Sequence, residues 1–334
     1  MHMSNVIKAF DLDGWEITFC HNWKGTQIHA NNPRITRHEY FDSGAKNITE
    51  KQLKAQADRL DRAKDEFDRV VIFQKSLEYA LIAPEHRSEY FWPLKLRRAK
   101  NTNICYYDQS MIWAGFTDSY HMGWTGEVFF TVEEHEQIKE WFRAKNIERK
   151  YIILWCLRGS MYQKAVYPLA KEICTAWLKE HPDSIIITTG DAFCQKWEWD
   201  SFKVINKSGR MPFRQALHMA SYADMVVTPE TGLGIGAGVF STPKIMLLTA
   251  ASLKNVVGND KNDYSIQSSA WCSPCTRAIY NTDNCDLNPK TGLPICVDFD
   301  KEEILARMNT IRDNHGFYNI HKRLAPKSDK KVCM

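Results

Sequence analysis

The sequence predicts an α/β protein in which helices alternate with the strands of a doubly wound parallel sheet. Apolar, β-branched runs at 151–157, 184–188 and 225–228 are typical of strands that are buried on both faces. Helical patterns separate these runs, which indicates parallel βαβ units. With 334 residues, the chain has room for two domains of about 150 residues each. Because ligands bind such sheets at the carboxyl ends of the strands, the loops that follow the strands are the candidate site.

The second half of the chain has the more regular pattern. Its predicted strands are 151–157, 184–188, 225–228 and 244–248, and its predicted helices are 164–180, 212–222 and 233–240. The first half is predicted to hold strands at 15–19, 70–73 and 128–130 and helices at 48–67, 103–115 and 131–145. Thr131 and Glu134 fit a capping box at the start of the last of these helices. We predict an N-terminal Rossmann-like domain over 1–147, a C-terminal domain over 148–315 and a tail over 316–334.

The composition is typical of an ordinary globular protein, with 44% hydrophobic and 25% charged residues. A net charge of +4 neither requires nor excludes a polyanionic partner. The sequence has no apolar run of 18 residues, and its first residues lack the pattern of a signal peptide. We therefore expect a cytoplasmic location and no membrane span.

Two of the strand-end loops carry residues that suit a phosphate ligand. The segment 229–238, PETGLGIGAG, follows a predicted strand and begins a predicted helix. Its small residues leave the first N–H groups of that helix uncovered, and this end of a helix carries about half a positive charge. Ser160 and Lys164 follow another strand, where a hydroxyl and an ammonium group can bind a diphosphate. The alternative is that the glycines only permit close packing and that Lys164 is a solvated lysine.

At these residues the chain resembles glycosyltransferase family 9, the heptosyltransferase family. Gly159-Ser160, Lys164 and Tyr167-Pro168 resemble its G-[ST]-x-x-x-K-x-W-P segment, and residues 230–233, ETGL, resemble its D-T-G-L signature. Residues 213–217, 223–227 and 241–244 match the segments that flank this signature. The resemblance extends from about 151 to 298, roughly half of the chain. It implies the GT-B fold, in which two Rossmann-like domains face a cleft.

The resemblance also implies an activity and roles for single residues. The C-terminal domain would hold a nucleotide-diphospho-sugar, an ADP-heptose-like donor, and the N-terminal domain would receive the acceptor. By this resemblance, Ser160 and Lys164 would bind the diphosphate, and Thr231 and Gly232 would bind phosphate. Glu230 would accept hydrogen bonds from the sugar hydroxyls, and Asp191 would lie near the nucleoside. Transfer would be inverting and would need no metal cofactor, because protein donors neutralise the leaving diphosphate.

The chain departs from the family pattern in three places. Glu230 stands where the family has an aspartate, and Ile235 stands where many members have a histidine. From the resemblance we expect the family's first strand, and the loop that holds its proposed general base, to be missing, because residues 1–13 resemble only the end of the helix that follows them. The candidates for the base are then Glu78 and Asp108. A base must lie within hydrogen-bond reach of the acceptor hydroxyl, which the sequence does not show.

Four cysteines are spaced for a metal ion. Cys272 and Cys275 form a C-x2-C pair, and Cys285 and Cys296 complete four thiols within 25 residues. The cysteine-rich segment 270–297 has little apolar content, so metal binding would help to order it. A structural zinc is the favoured interpretation, with reduced thiols or a pair of disulfides as the alternatives.

The sequence therefore predicts a glycosyltransferase with an unidentified acceptor, which could be a glycan, a glycolipid or modified nucleic acid. Two other classes remain open. One is a catalytically inactive nucleotide-sugar-binding or scaffolding protein, which the missing first strand favours. The other, less favoured, is a nucleotide-sugar epimerase of the same two-domain architecture.

Overall fold

The computed structural model describes residues 3–21, 23–40, 50–73, 94–95, 98, 104–116, 123–159, 168–275 and 285–325. Its largest feature is a six-stranded sheet in the second half of the chain, in which every neighbouring pair of strands is parallel. The strands are β3 (Tyr151–Cys156), β4 (Ser184–Thr189), β5 (Val204–Asn206), β6 (Met225–Pro229), β7 (Lys244–Leu248) and β8 (Ile266–Gln267). Their order across the sheet is β5-β4-β3-β6-β7-β8. This is the order of a doubly wound Rossmann sheet.

Helices cover both faces of this sheet. They are α5 (Val132–Ala144), α6 (Ala170–Glu180), α7 (Phe213–Ala220), α8 (Gly232–Val239), α9 (Leu253–Val257), α10 (Lys301–His315) and α11 (Ile320–Leu324). One buried cluster joins α5 and α7 to one face, and a second joins α6 and α10 to the other. All of β3, β4, β6 and β7 is buried, as the continuous apolar runs predict.

The capping box predicted for α5 is confirmed. The Thr131 side chain accepts a hydrogen bond from the Glu134 amide, and the Glu134 carboxylate accepts one from the Thr131 amide. The helix itself packs on the six-stranded sheet: Ile138 and Phe142 are buried in the same cluster as residues of β3 and α7. The hydrophobic core of the second half therefore includes α5, a helix that precedes β3 in the sequence.

The first half of the chain is less regular. Its described helices are α1 (Ser4–Leu12), α2 (Trp23–His29), α3 (Glu50–Glu66) and α4 (Tyr106–Trp113). Its described strands, β1 (Thr18–His21) and β2 (Arg37–Tyr40), form a two-stranded parallel sheet. The predicted strands at 70–73 and 128–130 are wrong, because neither segment pairs with a strand. Val71 and Phe73 instead pack their side chains around Met111, so burial rather than pairing explains their apolar character.

Arg214 at the start of α7 is a main contact between the two halves. Its guanidinium donates to both carboxylate oxygens of Glu134, at 2.6 and 2.8 Å, and to the backbone carbonyls of Gln27 and Phe129. No helix in the described part of the chain combines the length and apolar character that a membrane crossing requires.

Candidate functional site

The sheet order defines one crevice at the carboxyl ends of the strands. From β3 the chain builds the sheet outward through β4 and β5, and it then returns to the other side of β3 to build β6, β7 and β8. The connections therefore diverge between β3 and β6, which is the topological switch point where ligands of doubly wound sheets bind. The loop that leaves β3 begins at Leu157, and the loop that leaves β6 is 230–231.

The loop after β6 leads directly into the N-terminus of α8. Thr231 precedes the helix with an extended backbone, φ −135° and ψ 164°, and Gly232 is the first helical residue. The Thr231 hydroxyl lies 2.7 Å from the Thr228 hydroxyl and does not cap its own helix. The first N–H groups of α8 and the positive end of its dipole therefore face the crevice, which is an arrangement that suits phosphate.

Two of the glycines in this helix have a packing role. A Cβ atom added to Gly234 would lie 2.7 Å from the Met246 side chain, and one added to Gly238 would overlap the Asp260 carboxylate. Glycine at these positions allows α8 to lie close to β7 and to the loop before β8. Close packing therefore accounts for Gly234 and Gly238, and the prediction of phosphate binding concerns the start of the helix alone.

Glu230 is oriented by the neighbouring loop. Its Oε2 accepts hydrogen bonds from the backbone amides of Ala250, at 3.2 Å, and Ala251, at 3.1 Å. These amides follow β7, so the carboxylate connects two loops at the same edge of the sheet. Two amide donors hold one oxygen of the carboxylate in place.

The loops after β3 and β4 contribute a cationic and aromatic rim. Asp191 is exposed and begins a 3-10 helix, Ala192–Trp197. The Arg158 guanidinium lies 4.2 Å from the centre of the Phe193 ring, and the Lys196 ammonium lies 3.6 Å from the same ring. Planar cations and aromatic rings are surfaces on which nucleobases stack. Sequence reasoning did not single out Phe193, although an aromatic residue in a strand-end loop was a usable signal.

The structure places Asp108 elsewhere. Its carboxylate lies in the first turn of α4 and accepts a hydrogen bond of 2.7 Å from Asn259. The next residue, Asp260, forms a buried ion pair with Lys244, the first residue of β7. Asp108 is therefore beside the amino ends of the strands, whereas Glu230 and Thr231 lie at the carboxyl ends. Of the other predicted site residues, Glu78, Ser160 and Lys164 fall outside the described residues.

The four clustered cysteines lie near one another. The pKa of the Cys296 thiol is raised, first by burial and then by the proximity of Cys272, Cys275 and Cys285. No disulfide joins any of the four in the described structure. Among the described residues, no group of three or more His, Cys, Asp or Glu side chains is arranged to hold a metal ion. The thiols are a donor set that suits zinc, but their described positions do not form a closed zinc site.

Solved structures share the fold of this chain. The ADP-heptose lipopolysaccharide heptosyltransferase II of E. coli matches with a TM-score of 0.62 and 13% identity, over 94% of this chain and 95% of that chain. A glycosyl transferase of family 9 from Veillonella parvula matches with a TM-score of 0.64 and 14% identity over the same shares. The dodecameric iron-containing heptosyltransferase TibC, in complex with ADP-D-β-D-heptose, matches with a TM-score of 0.53 and 9% identity, over 94% of this chain and 74% of that chain.

These likenesses confirm the α/β, GT-B-like fold that the sequence resemblance implies. At identities of 9% to 14% they show the fold alone. No family model matches the sequence, and no curated protein matches it significantly. The function must therefore be argued from the site.

Proposed function

We propose that this chain is a glycosyltransferase that takes its sugar from a nucleotide-diphospho-sugar bound at the switch point of the six-stranded sheet. The observation that carries the proposal is the position of Glu230, Thr231 and Gly232, which lie together where β6 meets the start of α8. The fold shared with heptosyltransferases supports it, because such a fold presents this same edge to a cleft.

In this proposal the diphosphate lies against the N-terminus of α8 and the Thr231 hydroxyl. Lys164, which follows β3 in the sequence, supplies the opposing positive charge. As the bond to the sugar breaks, negative charge accumulates on the diphosphate, and oriented amides, a hydroxyl and an ammonium group stabilise that charge. We propose that these groups replace a metal cofactor in the chemistry and that the transfer is inverting.

Glu230 and Asp191 take the two ends of the donor. The Glu230 carboxylate, held by the Ala250 and Ala251 amides, accepts hydrogen bonds from the hydroxyls of an ADP-heptose-like sugar. Asp191 lies near the nucleoside, and the base lies toward the rim formed by Arg158 and Phe193. The acceptor hydroxyl approaches from the N-terminal half.

A binding protein without transfer activity is the second candidate. The position of Asp108 supports it, because this carboxylate lies beside the amino ends of the strands, away from Glu230 and Thr231. A transferase requires a base from another residue, whereas a nucleotide-sugar-binding protein requires none. Both candidates predict the same donor site.

A ligand panel tests the donor site. ADP, GDP, UDP and sugar derivatives of each should be screened by thermal shift, because a ligand at 100 times its Kd stabilises by about 2.7 kcal/mol. Thr231→Val should weaken binding of the selected nucleotide about 10- to 100-fold, since a hydrogen bond to a charged phosphate is lost. Thr175→Val, at an exposed position in α6, is the matched control. If no nucleotide in the panel binds, or if Thr231→Val binds as the parent does, the donor site is elsewhere. Product formation with a candidate acceptor then separates transferase from binding protein.

A further inference from the structure

The peptide group between Thr249 and Ala250 is held at both ends. Its N–H donates to Glu230 Oε2 at 3.2 Å, and its carbonyl accepts a hydrogen bond of 2.9 Å from the Ser273 hydroxyl. A peptide group is a rigid plane, so its carbonyl and its N–H cannot rotate independently. The Ser273 hydroxyl and the Glu230 carboxylate therefore fix the orientation of the same plane from opposite sides.

Ser273 is itself fixed by the last strand of the sheet. The Gln267 side-chain amide donates to the Ser273 hydroxyl at 2.8 Å and to the Leu248 carbonyl at 3.2 Å. The carbonyl oxygen of the same Gln267 side chain accepts a hydrogen bond from the Leu253 amide. These contacts bind the 271–275 loop to both ends of the loop between β7 and α9. Thr249, Ala250 and Ala251 are all buried, so few other positions are open to them.

The first half of the chain holds the same loop from outside. The Arg98 guanidinium donates to the carbonyls of Trp271, at 3.2 Å, Ser273, at 2.8 Å, and Pro274, at 2.9 Å. Because the guanidinium donates to three carbonyls of one loop, it stabilises the backbone conformation of that loop. Contacts thus run continuously from Arg98 through Ser273 and the 249–250 peptide to Glu230.

We propose that Ser273 is a positioning residue for the Glu230 carboxylate, and that Arg98 holds Ser273 in place from the first half of the chain. This inference rests on the proposed function for its consequence, which is that donor affinity depends on a serine that does not touch the donor. The physical cause is the shared peptide plane. Loss of the Ser273 hydroxyl frees the carbonyl end of the plane, and the two amides that bind Glu230 become less well aligned.

The test first measures the coupling without any ligand. Residue-resolved hydrogen exchange should show the Ala250 and Ala251 amides exchanging about fivefold faster in Ser273→Ala than in the parent, as expected for the loss of one hydrogen bond. Ser273→Thr retains the hydroxyl and should restore slow exchange. Arg98→Ala should change exchange in the same direction. Ser268→Ala is the matched control, because its hydroxyl accepts a hydrogen bond from the Ala270 amide within its own segment.

A second readout measures affinity for ADP by calorimetry. Ser273→Ala should raise the Kd about fivefold with a fall in Tm of no more than about 4 °C, and Ser273→Thr should restore the Kd. Unchanged exchange at Ala250 and Ala251 in Ser273→Ala would overturn the proposal, and so would an equal change in Ser268→Ala. If the parent chain binds neither ADP nor the other nucleotides of the panel, the proposed function fails, while the exchange measurement still decides whether Ser273 positions these amides.

Discussion

The buried ion pair between Arg323 and Asp224 offers the sharpest test of what holds the six-stranded sheet together. Both side chains are fully buried, and Arg323 Nη2 lies 2.8 Å from Asp224 Oδ2. The same guanidinium donates to the carbonyls of Glu148, Lys150 and Tyr222. Asp224 in turn accepts hydrogen bonds from the Ile152 and Asn319 amides. One pair therefore connects α11 to the starts of β3 and β6.

Substitution of Arg323 by methionine should lower the free energy of unfolding by about 3–5 kcal/mol. The side-chain volume is largely kept, but the Asp224 charge then lacks its cation, and removal of one partner of a buried pair costs about this much. Burial raises the pKa of Asp224, and the neighbouring Arg323 lowers it. The arginine therefore offsets part of the cost of burying this carboxylate in its charged form. The expected fall in Tm is on the order of 10 °C.

Urea unfolding at pH 7, followed by the fluorescence of the buried Trp155 and Trp177, measures this loss. The double variant Arg323→Met with Asp224→Asn should recover part of it, because no unpaired buried charge remains. Lys301→Ala, which removes an exposed pair with Glu172, should leave the transition unchanged. A loss below about 1 kcal/mol in Arg323→Met would refute the reasoning, as would a double variant no more stable than the single one.

Two further predictions concern protons and metal. Burial lowers the pKa of His218 to about 3. Below about pH 6.5 the histidine is therefore protonated in the unfolded chain but stays neutral in the folded chain. His218 therefore costs stability on acidification, about 2 kcal/mol at pH 5, and His218→Gln should lose correspondingly less between pH 7.5 and pH 5 in urea unfolding, whereas an equal loss would contradict this. If Cys272 and its three partners bind a structural zinc, the purified protein should carry about one zinc per chain, and Cys272→Ser should lose it while Cys20→Ser, outside the cluster, keeps it. Four titratable thiols at these positions without bound zinc would remove the zinc proposal.

The second half of the chain was the predictable half because its signals are local. Buried parallel strands are continuous apolar runs, so β3, β4, β6 and β7 follow from the sequence within one or two residues. β5 and β8 were missed, because strands of three and two residues exist only through pairing with their neighbours. A pattern within a short window does not contain that information.

Residues whose role depends on a distant partner were also missed. Arg323 lies in a short basic helix, which in sequence resembles a solvated tail. It is nevertheless fully buried, because it pairs with Asp224, which lies 99 residues earlier in the sequence. Arg214 was noted only as part of a motif, although it binds Glu134 and two backbone carbonyls across the two halves. Both charged side chains can leave water only because they bind carboxylates and carbonyls, and these partners are far from them in the sequence.

The position of Asp108 restricts where a catalytic base can lie. It is beside Asn259 at the amino end of β7, and the five residues of that strand separate the amino end from the carboxyl end by about 13 Å. Domain closure does not remove this distance, because α4 is itself packed on the second half: Tyr107 is fully buried among residues of β7 and α9. Hydrogen-bond reach is about 3 Å, so the base of a transferase must come from a segment that faces the carboxyl ends of the strands. Substitution of Asp108 is therefore expected to change stability without separating the two candidate functions. The base is to be sought among residues of the first half that face Glu230, on the side where Arg98 contacts the loop of Ser273.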